Sequence, residues 1–233
     1  MQRKIRLLII EDEAAIRNGL IDVFVYHGYE VSFAIEGLEG LNMALGGTFD
    51  LIILDVMLPG MNGFEICDQI RAKDCHQPII MLTAKSSDQD IIDGLSLGAD
   101  DYVTKPFSVA QLVLRVQAVL RRSRVNEEFG DSIRLGDEIE IEQKNLCGKR
   151  GDQLLSFTLR EMQILQYLNT HSERPVSRDE LLTKVWGYAN NLQLETRTVD
   201  IHIAKLRRKI EPDPANPAYL VTVRGAGYRL LAG

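Results

Sequence analysis

The 233-residue sequence predicts two domains: an α/β doubly wound five-stranded parallel sheet, then an α+β winged helix-turn-helix. Three observations carry that expectation. Short apolar runs alternate with amphipathic stretches through the first half. Three helical segments lead into a hairpin in the second. The length is too great for one average domain and suits two.

The apolar runs of the first half are Leu7–Ile10, Val31–Ala34, Leu51–Leu54, Ile79–Leu82 and Tyr102-Val103. Runs this short, bounded by polar or turn residues, read as strands buried on both faces. One intervening stretch carries Ile16, Leu20, Val23 and Phe24, and the last carries Val109, Leu112, Val113, Val116 and Leu120, both at helical spacing. Repeated β-α units imply a parallel sheet. Pro59-Gly60-Met61-Asn62-Gly63 reads as a turn, and Gly98 as the cap of a helix ending before Asp100. Residues 1–122 form the first domain, the poorly apolar segment 123–130 a linker, and 131–233 the second domain.

The second domain opens with β-like pieces at Ile133–Leu135, Ile139–Ile141 and Leu154–Phe157. Thr158-Leu-Arg-Glu161 is a capping box opening a helix with Met162, Leu165 and Leu168, and Ser177-Arg-Asp-Glu180 is a second, opening Leu181–Trp186. A helix from about Thr196 to Ile210 follows. Tyr219–Arg224, the turn Gly225-Ala226-Gly227 and Tyr228–Leu231 then form the hairpin. Trp186 and Tyr167 read as core.

A hydrophobic share of 45% and a charged share of 26% are ordinary for globular chains and exclude disordered or collagen-like classes. The start, Met1 to Lys4 followed by Ile5 to Ile10, imitates a signal peptide until Glu11-Asp12-Glu13 interrupts it, and no run is long enough for a membrane helix. Cys67, Cys75 and Cys147 are odd in number and lack metal-site spacing, which fits a reducing, cytoplasmic setting. The net charge of -6 belongs to the first half, where residues 1–122 carry 11 basic against 17 acidic side chains. Residues 196–233 carry seven basic against three acidic, a candidate polyanion-binding face.

Glu11-Asp12, Asp55, Thr83 and Lys105 all follow apolar runs, so they should emerge together at one carboxyl edge, where open α/β sheets bind ligands. Glu11, Asp12 and Asp55 offer hard oxygen ligands suited to Mg2+ and would repel one another without a cation. With that repulsion screened, Asp55, alone on the middle strand, is the best nucleophile toward a phosphoryl group, and Lys105 and the Thr83 hydroxyl can contact the phosphoryl oxygens. In the helix near the C-terminus, Val199, Ile203, Leu206 and Ile210 should pack inward, leaving Arg197, Ile201, Ala204, Lys205 and Arg208 to face a major groove. His202 and Arg207 flank that face and are expected at phosphates.

Glu11-Asp12, Asp55 with Pro59-Gly60, Leu82-Thr83-Ala84 and Gly98-Ala-Asp-Asp-Tyr-Val-Thr-Lys-Pro-Phe107 resemble the CheY-like receiver domain of a two-component response regulator. Arg197-Thr198-Val199-Asp200, Leu206-Arg-Arg-Lys209 and Val223-Arg-Gly-Ala-Gly-Tyr-Arg229 resemble the winged-helix effector of the OmpR/PhoB subfamily. The resemblance covers nearly the whole chain.

It implies that Asp55 accepts a phosphoryl group from a sensor histidine kinase, with Mg2+ held by Glu11, Asp12, Asp55 and the Met57 carbonyl. Thr83 and Tyr102 would be the switch pair, Lys105 would meet the phosphate, and the Lys105-Pro106 bond would be cis. Met57 and Lys85 stand where the family tunes dephosphorylation. A phosphorylation-driven homodimer would use Asp101 with Arg115 and Asp100 with Arg122, while Ile91 and Gln111 replace the family's usual third ion pair. Thr198 belongs to the DNA-contacting set, and Arg224 would reach the minor groove. Double-stranded promoter DNA is the expected partner, contact with RNA polymerase is an expectation of the same kind, and catalysis in the usual enzyme sense is not expected. A haloacid-dehalogenase-like phosphohydrolase would carry Asp-x-Asp where Asp55 is followed by Val56-Met57, and no P-loop is present. A regulator working without phosphate would lack one of the acidic pair, the Asp or the Lys.

Overall fold

The computed structural model describes residues 3–83, 98–124, 132–188 and 197–231, with side chains described except at 122–124 and 197. The chain divides into two compact units, residues 1–124 and 125–233.

The first unit is a parallel sheet of five strands in the order β2-β1-β3-β4-β5. These are β1 (Arg6–Ile10), β2 (Glu30–Ala34), β3 (Leu51–Asp55), β4 (Ile79–Thr83) and β5 (Asp101–Thr104). Every residue of β3 and β4 is buried, as an apolar run sandwiched between helical layers must be. β2 departs from the expectation of two buried faces. It is an edge strand, and Phe33 on it is 49% exposed. Leu20 and Phe24 of the helix Ala14–Tyr26 and Leu112, Val113 and Val116 of the helix Val109–Arg124 pack with Leu7, Ile9, Leu51 and Ile53 in one core.

The turn after β3 ends at Asn62, whose side chain accepts from Glu65 N while Glu65 reaches back, a full capping box for the helix Gly63–Lys73. The helix Val109–Arg124 runs through Ser123 and Arg124, so the expected linker starts two residues too early; no Gly or Pro stops the helix at 122. The rest of the linker, the helix expected before Gly98, and Lys85 and Ile91 lie outside the described residues. No helix among the described residues is long and apolar enough to cross a membrane.

The second unit begins with an antiparallel sheet, β6 (Ser132–Leu135), β7 (Ile139–Glu142), β8 (Cys147–Arg150) and β9 (Gln153–Ser156) in sequential order. The helices Leu159–Thr170, Arg178–Leu181 and Arg197–Ile210 follow, the second continuing as a π-helical turn through Leu182–Trp186. The hairpin is β10 (Leu220–Val223) with β11 (Gly227–Leu230). Val176 N donates to Tyr228 O and Tyr228 N to Val176 O, which ties the hairpin to the start of the second helix. The box at Thr158 is complete, but the one at Ser177 is half formed: Ser177 accepts from Glu180 N, while the Glu180 carboxylate turns to Arg174 and Tyr167. Trp186 is core as expected, whereas Tyr167 is only half-buried, its hydroxyl 2.7 Å from Glu180.

Candidate functional site

Strand order brings the reactive residues together. β1, β3, β4 and β5 are adjacent and parallel, with Ile10 opposite Leu54, Asp55 opposite Leu82 and Thr83 opposite Thr104. Their carboxyl ends therefore line one edge, with Glu11, Asp55 and Thr83 buried there. The Lys105 ammonium lies 2.8 Å from Asp55 Oδ2 and 2.8 Å from Glu11 Oε2, bridging the two carboxylates. Asp55 Oδ1 accepts from Met57 N at 3.1 Å, and Lys105 N donates to Thr83 O at 2.6 Å. The Lys105-Pro106 peptide is cis, as expected.

The site's electrostatics follow from burial. Burial pushes the Glu11 carboxyl up to about 7; the Lys105 hydrogen bond opposes that rise and the Asp55 charge adds to it. Burial works against the Lys105 charge, yet its hydrogen bonds to Asp55 and Glu11 hold the ammonium above its ordinary value. One carboxylate oxygen from each of Glu11, Asp12 and Asp55 lies within 4.8 Å of the others. Three acids this close, one already resisting ionisation, are a donor set that a small hard cation would satisfy.

Gly63 allows the next helix to start against this strand end. Its N–H donates to Val56 O, and a Cβ there would collide with the Asp55 carbonyl. On the neighbouring surface Tyr102 is buried, 6% exposed. Arg115 Nη1 donates to Asp101 Oδ2 at 2.7 Å within the chain. Asp100, expected to answer Arg122 across a dimer, is buried; it accepts from Arg71 Nη2 at 3.0 Å and from Ile79 N at 2.8 Å. The Arg71 guanidinium also donates to Gly98 O and Gln77 O, so Asp100 serves the start of β4 within its own chain. Gln111 is exposed on the Val109–Arg124 helix.

The Arg197–Ile210 helix is more enclosed than its spacing suggests. Val199, Ile203, Leu206 and Ile210 are core as expected, but Thr198, Ile201, His202 and Lys205 are buried too. His202, expected at a phosphate, packs edge-on to Trp186 with ring centres 5.2 Å apart. Lys205, expected in the groove, pairs with buried Glu161 at 3.1 Å. Arg207 donates to Leu220 O and Thr222 Oγ1 of the hairpin. Arg208 and Arg224 are exposed, and Ala204 is half-exposed. The outward strip of the helix is thus narrower than expected, because Glu161 and Trp186 hold one side and the hairpin another.

The comparisons with known proteins cover both units. Residues 7–117 match the response regulator receiver domain, and residues 151–230 match the C-terminal domain of transcriptional regulatory proteins. Sensory transduction protein RegX3 of Mycolicibacterium smegmatis is 39% identical over 228 residues, 96% of this chain and 98% of that one. The alkaline phosphatase synthesis transcriptional regulatory protein PhoP of Bacillus subtilis is 41% identical over 97% of this chain and 96% of its own. The chain belongs to the OmpR/PhoB family of response regulators. Among solved structures, a mutant of RitR aligns with this response regulator at a TM-score of 0.74 and 28% identity, covering 98% of this chain and 100% of that one. DrrB, a Thermotoga maritima OmpR/PhoB homologue, aligns at 0.52 and 29%, covering 98% and 99%.

The response regulator is accordingly a transcriptional regulator of a two-component system, with a receiver and a DNA-binding domain, and not a classical enzyme. A kinase and DNA are the partners those domains imply. Sequence reasoning named Glu161 only as a helix cap, and Arg178, Asp200 and Tyr228 only within longer motifs, so it missed the contacts they make. Asp200 Oδ1 accepts from Arg178 Nε and from the Tyr228 hydroxyl, both at 2.6 Å, linking second helix, third helix and hairpin. The available signals were the Thr158–Glu161 capping box and Asp200, a charge one position after inward Val199.

Proposed function

We propose that Asp55 is the phosphoacceptor of this response regulator and that its phosphorylation controls binding to promoter DNA. The observation that carries the reading is the Lys105 ammonium 2.8 Å from the buried Asp55 carboxylate, beside Glu11 and Asp12 in ligating range. A carboxylate oxygen of Asp55 attacks the phosphorus of a kinase phosphohistidine. The new O–P bond forms as the P–N bond breaks, and the electron pair leaves with the imidazole.

Glu11, Asp12, Asp55 and the Met57 carbonyl would hold Mg2+, which when bound supplies charge neutralisation for the crowded oxygens. Lys105, already paired to Asp55, needs only a small shift to meet a phosphoryl oxygen. Thr83, at the end of β4 next to it, brings a hydroxyl to another. The added charge of about -2 draws both groups inward, and Tyr102, buried on the adjoining strand, responds.

The response brings two receivers together through the face carrying Asp101, Arg115 and Gln111. Two DNA-binding domains then engage tandem half-sites, and bivalency strengthens binding without a new base contact. Arg208 and Ala204 on the third helix face the major groove, and Arg224 at the hairpin tip faces the minor groove, with RNA polymerase as a further partner at the promoter. Intact-mass analysis after incubation with acetyl phosphate tests the first step. One phosphoryl group should be gained by wild type with Mg2+ and none by Asp55→Asn; an equal gain in Asp55→Asn would overturn the assignment.

A further inference from the structure

Arg17, on the helix Ala14–Tyr26, touches the metal-ligating loop through its backbone. Its Nη1 donates to Glu11 O at 3.0 Å and to Asp12 O at 2.9 Å. The first bond of the helix is Arg17 N to Glu13 O, so both carbonyls lie upstream of the helical ladder, and β1 has already ended at Ile10. No side chain caps this helix start. The guanidinium lies over the Phe33 ring, 5.5 Å from its centre, and its Nε is buried with no hydrogen-bond partner among the described residues.

On charge alone Arg17 is misplaced. A cation held on the Glu11 and Asp12 backbone competes with a metal for the field of the nearby carboxylates and should weaken metal binding. Its bonds act in the opposite direction. Two carbonyls of consecutive residues held by one nitrogen fix the peptide planes on both sides of Asp12, the first of which also follows Glu11. The Phe33 ring limits where the guanidinium can sit. We infer that Arg17 is a positioning residue for the Mg2+ site, holding the Glu11-Asp12 backbone so that both carboxylates converge with Asp55. This role rests on the Mg2+-dependent phosphoacceptor reading above.

The two effects differ in sign, and the choice of ion separates them further. Mg2+ demands near-octahedral geometry at about 2.0–2.1 Å, whereas Ca2+ accepts looser arrangements at about 2.3–2.6 Å. Slackening the loop should therefore cost Mg2+ more than Ca2+, while removing a nearby positive charge should favour both ions.

Calorimetric titration of the full chain with Mg2+, and separately with Ca2+, reads this directly. Arg17→Ala should bind Mg2+ about tenfold more weakly, in the range known for residues that orient metal ligands, with a smaller loss for Ca2+. Phe33→Leu, which keeps the charge, and Arg17→Lys, which keeps the charge without the planar stack, should fall between it and wild type. Mg2+ affinity in Arg17→Ala equal to or above that of wild type would overturn the inference. If Arg17→Ala does not fold, unchanged Mg2+ affinity in both Phe33→Leu and Arg17→Lys would do so. A wild-type chain that takes up no Mg2+ would instead sink the metal-site reading, and this inference with it.

Discussion

Glu161 and Lys205 form an ion pair inside the DNA-binding domain, 3.1 Å apart, with Lys209 2.7 Å from the other carboxylate oxygen. Glu161 also closes the capping box of its helix, and both lysines come from the Arg197–Ile210 helix, so one carboxylate joins the first and third helices. Burial pushes this carboxyl up, but the charges of Lys205 and Lys209 and the hydrogen bonds from Lys209 and Thr158 N outweigh it and hold the group at about 2. Because that lies below its ordinary 4.5, the unfolded chain takes up this proton first as acid is added. The pair's contribution is complete above about pH 5 and is lost as the pH falls through about 2. Glu161→Gln should destabilise the domain at neutral pH by about 3 kcal/mol, since it leaves two lysines without their buried partner. Its urea midpoint should also change less between neutral and acid pH than that of wild type; an equal pH dependence would place the acid sensitivity elsewhere.

Tyr228 couples the hairpin to the helix-turn-helix. Its hydroxyl donates to Asp200 at 2.6 Å and accepts from Arg178 Nη2 at 2.8 Å, and the Arg178 guanidinium lies 4.7 Å over its ring. Burial first, then the Asp200 bond, pushes the phenol up to about 12, so it remains a donor throughout the physiological range. Tyr228→Phe keeps the ring and removes only these bonds, which should lower stability by about 1–2 kcal/mol. The hairpin tip should then lose its register with the third helix. Footprinting is expected to show weaker minor-groove protection beside unchanged major-groove protection, and a uniform loss would assign Tyr228 to stability alone.

Gly63 offers a test of how closely the β3 end is packed. An alanine Cβ would strike the Asp55 carbonyl and the Val56 backbone, both main-chain atoms that cannot swing aside. Gly63→Ala should cost about 1–3 kcal/mol of receiver stability by overpacking. It should also slow phosphorylation by acetyl phosphate, because the displaced backbone carries Asp55, the proposed phosphoacceptor. Wild-type kinetics in a destabilised Gly63→Ala would separate the packing from the chemistry.

Most of the receiver was legible because its strands are buried on two faces and its reactive residues sit directly after them; Asp55 needs only the run Leu51–Leu54 to be found. β2 was legible as a strand but not as an edge, since strand order is set by long-range pairing. β8 escaped because Cys147-Gly-Lys-Arg150 has no apolar alternation; it is held by pairing on both sides, and Gly148 lets it approach within 2.8 Å of Glu140 O, counted from where a Cβ would stand. Arg17 carried no signal in the sequence because its acceptors are main-chain carbonyls, which leave no trace in side-chain pattern. His202 and Lys205 were misplaced for a related reason. Helical spacing divides a helix into an inner and an outer face, whereas this helix is enclosed on more than one side by Trp186, Glu161 and the hairpin.

Arg207 and Arg208 are adjacent in sequence but differently placed, one against the hairpin and the other exposed. Arg207 donates to Leu220 O and Thr222 Oγ1 at 2.8 Å and lies 5.8 Å over the Tyr228 ring, so it fastens the third helix to the hairpin. Arg208 is exposed. Arg207→Ala should lower the melting temperature and, through the loosened hairpin, DNA affinity as well. Arg208→Ala should weaken DNA binding. If Arg208 meets a phosphate, the loss is uniform across DNA sequences and the salt dependence of binding falls by about one unit of slope; if it reads a base edge, the loss is about 1–3 kcal/mol and concentrates at one position of the site. Fluorescence anisotropy over a salt series, with a panel of single-base operator variants, distinguishes these outcomes. An Arg208→Ala chain that binds every sequence as tightly as wild type would remove this face of the helix from the DNA interface.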